Sequence, residues 1–247
     1  MKLIVTGEEF AAAIRDGEAD PFWGKVRVIG EEYSVEGTVD LSGFETKELD
    51  FDKIYGVLEI NGDLILVNAH LGRLSFGYFK INGNLVLTSS RVGWFEVSEN
   101  IEITGDLDLS GCEFSGEATE SETYALELIK ANIGGSLNLC GAKVTGSGGA
   151  SLYDAKIIGD VLLDNRTDYD SCRESLLGAL RGAKIKGCVH CNDNLTAAIM
   201  FATRTKEDSF PRGGISVSSV ALMALKQLVG KFQLDTSTQT ALMKSVN

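Results

Sequence analysis

Proline is nearly missing from this chain, with two residues in 247, and histidine is as scarce. No apolar run approaches the ~18 residues of a membrane-crossing helix, so no membrane association is expected. The opening "MKLIVTGEEF" has only a short apolar run before its acids, too short for a secretory signal. Positive charge is in deficit: 23 Lys and Arg face 35 Asp and Glu, a formal net charge of -12. Phosphates would be repelled, so direct nucleic-acid binding is not expected and a basic protein is the more natural partner. Five cysteines, odd in number and scattered, suit a reducing cytoplasm better than a disulfide framework. The P-loop, the nucleophile elbow and the HExxH pair are all missing. With His70 and His190 alone, acid–base catalysis has few candidates, and His70 has no partnered nucleophile nearby in sequence.

Glycine, at 28 residues, and apolar residues, at 44%, are plentiful. Together with the scarcity of proline they predict a packed core with many tight turns. The glycines belong to a repeat. "VEGTVDL" begins at 35, "INGDLIL" at 60, "INGNLVL" at 81, "ITGDLDL" at 103, "IGGSLNL" at 133, "IIGDVLL" at 157 and "IKGCVHC" at 185. Starts 21 to 30 residues apart indicate stacked structural units. Apolar residues alternate with period 2 inside each copy, as in a strand, and no repeat carries a sustained helical period. The expected fold is therefore all-β: a single-domain parallel β-helix of about seven coils. Residues 1–34 would form an N-terminal cap, 35–195 the coils, and 196–247 a C-terminal segment with a helix.

Three inward columns follow from the alternation. They are Ile60, Ile81, Ile103, Ile133 and Ile157; then Leu64, Leu85, Leu107, Leu137 and Val161; then Leu66, Leu87, Leu109, Leu139 and Leu163. The repeated Gly falls on the inward parity and is expected to make a corner or bulge. Open coil ends need covering. At the N-terminus "TGEEFAAAIRDG" predicts a short helix, with Thr6 and Glu9 as a capping box and Gly17 as its stop. At the C-terminus residues 218–232 have a helical stripe through Val220, Ala224, Leu228 and Phe232. That helix would cap the last coil or, in the sharper alternative, join two copies as a homodimer.

The coils resemble two families. "ANIGG" at 131, "AKVTG" at 142, "ASLYD" at 150, "AKIIG" at 155 and "AKIKG" at 183 look like the unit of the pentapeptide-repeat family. The Gly-x-apolar-x-apolar phrases are similar to those of bactofilin-type polymer-forming proteins. Both resemblances imply a β-helix, and the analogy supplies its right hand. The first also implies a DNA-mimicking acidic surface that binds DNA-handling enzymes. The second implies a structural scaffold.

The outward positions of the seven motifs include Asp40, Asp63, Asp106, Asp108 and Asp160 among fourteen, with no Lys or Arg. They predict an acidic strip for binding a protein, although Asp also simply suits the turn after Gly. Ile65, Val86 and Leu162 point outward on the same face, as if a partner or a terminal segment covered part of it. Two acidic excursions, 115–125 with Glu117, Glu120 and Glu122, and 164–180 with Asp168 and Asp170, read as loops for binding. Asp106 and Asp108 share a strand face, but no oxygen cage for Ca²⁺ forms around them, which disfavours a polysaccharide-active enzyme. In "CVHC" only Cys188 and His190 converge outward, joined by Cys172 if its loop folds back, so the reading assigns no metal and no cofactor. The expected function is non-catalytic protein binding in the cytoplasm, with a scaffold second and a β-helix enzyme third.

Overall fold

The computed structural model describes residues 3–16, 33–51, 58–97, 101–117, 124–164, 179–180, 182–191 and 215–217. They form a parallel β-solenoid with three walls, each an eight-stranded sheet. Wall A carries the first strand of each coil, wall B the second and wall C the third. The second coil shows the plan: Leu58–Asn61 in wall A, Leu64–Ile65 in wall B and His70–Phe76 in wall C. Each strand pairs in parallel with its counterpart one coil away, as Leu64 with Leu85, Leu85 with Leu107, and Leu107 with Leu137.

Five coils have all three walls among the described residues, and two more have walls A and B only. Against the expected seven or so coils, five turns are complete among the described residues. The extra residues 118–123 and 165–178, with Glu120, Glu122, Asp168, Asp170 and Cys172, lie outside the described residues, as does the C-terminal helix expected over 218–232.

All three expected inward columns are buried: Ile60, Leu64 and Leu66 are fully inaccessible, as are Ile81, Leu85 and Leu87 one coil on. The seven-residue phrase is not one strand, however. It bends from wall A into wall B, and its Gly is the corner. At this corner successive backbones nearly touch. A Cβ on Gly62 would sit 2.5 Å from the carbonyl of Gly37, and one on Gly105 would sit 2.3 Å from Asn84 Oδ1 and 2.7 Å from the Gly83 carbonyl. Close stacking, more than dihedral freedom, demands glycine here.

The other two corners are tight turns. From wall B to wall C the Phe44 N–H donates to the Leu41 carbonyl, and Ala69, Ser90, Cys112 and Ala142 repeat this with Leu66, Leu87, Leu109 and Leu139. The third residue of each turn is left-handed: Gly43, Asn68, Ser89, Gly111 and Gly141 have φ between 55° and 71°. This is the type II geometry. From wall C back to wall A the same turn recurs at Leu128–Ala131 and Leu152–Ala155, with Lys130 and Asp154 at φ 58° and 60°. Four of the five alanines of the pentapeptide-like units, Ala131, Ala142, Ala155 and Ala183, thus close turns and are fully buried, while Ala150 lies in the wall C strand Gly149–Ser151.

Wall C contributes the aromatic part of the core. Phe10, Phe51, Phe76, Phe95 and Phe114 stack along the axis, with centroids 5.2 to 6.4 Å apart between neighbours, and Phe79 packs against Phe51 and Phe76. The stack begins in the expected N-terminal helix, Gly7–Arg15. Thr6 and Glu9 make both bonds of the capping box, and Phe10, Ala11 and Ile14 are buried over the end of the core. The preceding strand, Leu3–Thr6, is the outermost of wall A and pairs with Tyr33–Glu36.

Candidate functional site: the outer face of wall B

The corner between walls A and B is followed in each coil by a short polar side chain: Thr38, Asp63, Asn84, Asp106, Ser136, Asp160, Cys188. Their stacking produces a ladder of side chain to backbone bonds. Asp63 Oδ1 accepts the Asn84 N–H at 2.7 Å, Asn84 Oδ1 accepts that of Asp106 at 2.8 Å, and Asp106 Oδ1 accepts that of Ser136 at 2.6 Å. Ser136 Oγ then accepts the Asp160 N–H at 3.1 Å, and Asp160 Oδ1 the Cys188 N–H at 2.8 Å. The corner glycines bring successive coils close enough for each acceptor to reach the next backbone amide.

Two residues further on, the outward column of wall B runs Asp40, Ile65, Val86, Asp108, Asn138, Leu162, His190 in pairing order. Its polar members also hold the backbone. Asp40 Oδ1 accepts the Ser42 N–H at 2.9 Å, Asp108 Oδ1 that of Ser110 at 2.8 Å, and Asn138 Oδ1 that of Cys140 at 3.1 Å. These are Asx turns that lead into the type II turn behind them. The bonds from Ser42 hold the Asp40 carboxyl below its usual range. Asp160 is likewise lowered, first by the Cys188 N–H and then by His190.

All five aspartates of the expected acidic strip therefore lie on one face, and each spends an oxygen on the backbone. Sequence reasoning missed this bonding to the backbone. The signal was present: the position after Gly alternates among Asp, Asn and Ser, which share a short reach and an acceptor oxygen. Between Asp40 and Asp108 the column is apolar. Ile65 and Val86 are neighbours on adjacent coils and half-buried, with Val67 beside them. Leu162 is also half-buried, beyond Asn138.

Other expected residues fall elsewhere. Glu117 lies between the wall C strands Glu113–Phe114 and Tyr124–Glu127, where its carboxylate accepts from the Ser147 hydroxyl and N–H; these bonds lower its pKa. His70 is on the outside of wall C in the column Glu45, His70, Arg91, Glu113, Lys143. Its Nδ1 is 3.5 Å from Glu45, and Arg91 Nε is 3.6 Å from Glu113. Cys188 and His190 are half-buried, and Asp160 joins them from the coil below: His190 Nε2 is 3.0 Å from Asp160 Oδ2. Asp160 also accepts the Cys188 N–H, so the trio gathers one oxygen, one sulfur and one nitrogen donor.

The fold defines a parallel β-solenoid repeat protein. In the comparisons with known proteins, no family model, no curated protein and no solved structure matches this chain. No helix among the described residues is long and apolar enough to cross a membrane.

Proposed function

We propose that the protein is a non-catalytic binding rod that engages a basic protein through the outer face of wall B. The observation that carries this reading is the Ile65–Val86 pair, apolar and only half-buried, set between Asp40 and Asp108 on the outward column of the sheet. Protein interfaces combine an apolar centre with a polar rim, and the acidic rim selects for positive charge and speeds encounter. Because the aspartates are fixed by the backbone, their charges are presented without the ordering cost of mobile side chains. A nucleic-acid-handling protein is one such basic partner, in keeping with the pentapeptide-repeat resemblance.

The scaffold reading has less support. Helix Gly7–Arg15 lies over the N-terminal end of the core with Phe10 buried, which disfavours stacking of a further coil on that end.

The test is affinity capture on immobilised full-length protein, washed at rising salt, with the Ile65→Asp/Val86→Asp double variant alongside. A basic protein retained by the wild type, released by salt and lost from the variant is the expected result. Added duplex DNA should compete if that protein handles nucleic acid. Equal retention by wild type and variant would end this assignment of the face.

A further inference from the structure

We propose that Asp160, Cys188 and His190 form a binding site for a divalent transition metal, zinc by preference, on the outer face of wall B. The three donor atoms lie within 4.8 Å of one another. A tetrahedral zinc ion with bonds of about 2.0–2.3 Å needs donors roughly 3.3–3.7 Å apart. The Nε2 to Oδ2 separation of 3.0 Å is close to that, and the 4.8 Å limit on the sulfur separations is about 1 Å beyond it, within reach of side-chain rotation.

The scaffold aims the ligands. Asp160 and Cys188 follow the stacked corner glycines Gly159 and Gly187, and the strand Val189–Cys191 pairs with Val161–Leu163 so that His190 lies over Leu162. Asp160 Oδ1 is held by the Cys188 N–H at 2.8 Å, which turns Oδ2 towards the imidazole. The same two positions in the neighbouring coils hold Asn84 and Val86, Asp106 and Asp108, and Ser136 and Asn138. Among the described residues, a thiol, an imidazole and a carboxylate converge only at the rung of Cys188 and His190.

The donor chemistry selects the ion. Calcium and magnesium require a shell of oxygens, which one carboxylate cannot supply. A mixed oxygen, nitrogen and sulfur set suits zinc or its spectroscopic substitute cobalt, and three protein ligands leave a fourth position for water or a partner's side chain. A metal held here ties the sixth coil to the seventh, because Asp160 belongs to one and Cys188 and His190 to the other.

The test is a Co²⁺ titration of the full-length, chelator-treated protein. One equivalent should give the near-ultraviolet thiolate-to-cobalt band and the visible bands of a tetrahedral ion, and Zn²⁺ should displace it. Cys188→Ser should lose the thiolate band, while Cys140→Ser should keep it. His190→Ala and Asp160→Asn should weaken Co²⁺ binding by at least about tenfold, the scale on which even outer-shell losses act. Asp160→Asn keeps an acceptor for the Cys188 N–H, and circular dichroism of each metal-free variant verifies that the fold is intact. A wild type with no thiolate band, or a Cys188→Ser variant that retains it, would overturn the site.

Discussion

Walls A and B differ from wall C in a way that explains the whole repeat. In walls A and B most coils contribute two to four residues per strand, and the corner glycine and its acceptor side chain fix the register rung by rung. Wall C absorbs the variation in repeat length. It is one seven-residue strand in the second and third coils, His70–Phe76 and Arg91–Val97, where the glycines are 21 and 22 residues from the next. In the fourth coil it divides into Glu113–Phe114 and Tyr124–Glu127, with the inserted residues between them. A solenoid tolerates an excursion where a wall can split. It does not tolerate one at a corner whose backbones nearly touch.

Substitutions in the two regions should separate these roles. The largest loss is expected in wall C, at its aromatic stack: Phe95→Ala removes a fully buried ring and should cost about 3–5 kcal/mol in chemical denaturation. At the A–B corner, Gly105→Ala drives a methyl against the Gly83 backbone and the Asn84 side chain and should cost about 1–3 kcal/mol. If Gly105→Ala were neutral, the close-stacking explanation of the glycines would fail. Asn84→Ala removes one rung of the ladder and leaves the Asp106 N–H without its acceptor, a loss of about 1 kcal/mol readable in the same melts.

In wall C one residue works against stability. Glu127 is partly buried and lies close to Glu96, and first burial, then that like charge, raises its carboxyl pKa. A carboxyl raised on folding supports the fold while protonated and loses that support as pH rises through its folded pKa. Glu127→Gln should therefore be more stable than wild type at neutral pH, by up to about 1 kcal/mol, with the gap closing as pH falls to the ordinary glutamate range. A gap that widened towards acid would reverse the assignment. The smallest effect is on reactivity alone. Cys112 is buried, donates to the Leu87 carbonyl at 3.0 Å, and has its thiol pushed up to about 12, chiefly by burial. In the folded protein it should resist alkylation that half-buried Cys188 undergoes, as peptide mapping after brief labelling would read.

The contrast between the walls also sets what the sequence could reveal. The phrase around each Gly spans only a corner and two short strands, so its period and its inward columns were legible, down to Ile60, Leu64 and Leu66. Helix Gly7–Arg15 was legible for the same reason, since Thr6 and Glu9 are local. What depends on neighbouring coils was not. Asp63 holding Asn84 joins residues 21 apart, and Asp160 meeting His190 joins residues 30 apart. Such contacts follow from register, and register needs the intervening wall C length. The type II turns carried a signal that went unused, Leu-x-x-small at every B–C corner but the first, where Phe44 stands, because Asn68 and Ser89 occupy positions where glycine would have announced a left-handed residue.

The central claim is that this rod binds through its side, with one end covered, and does not grow by stacking coil on coil. Size-exclusion chromatography with light scattering, across protein concentration and at low and high salt, tests it most directly. A single mass of a monomer or dimer, unchanged by concentration, is the expected result. Assemblies that lengthen with concentration would contradict it and make the protein a scaffold.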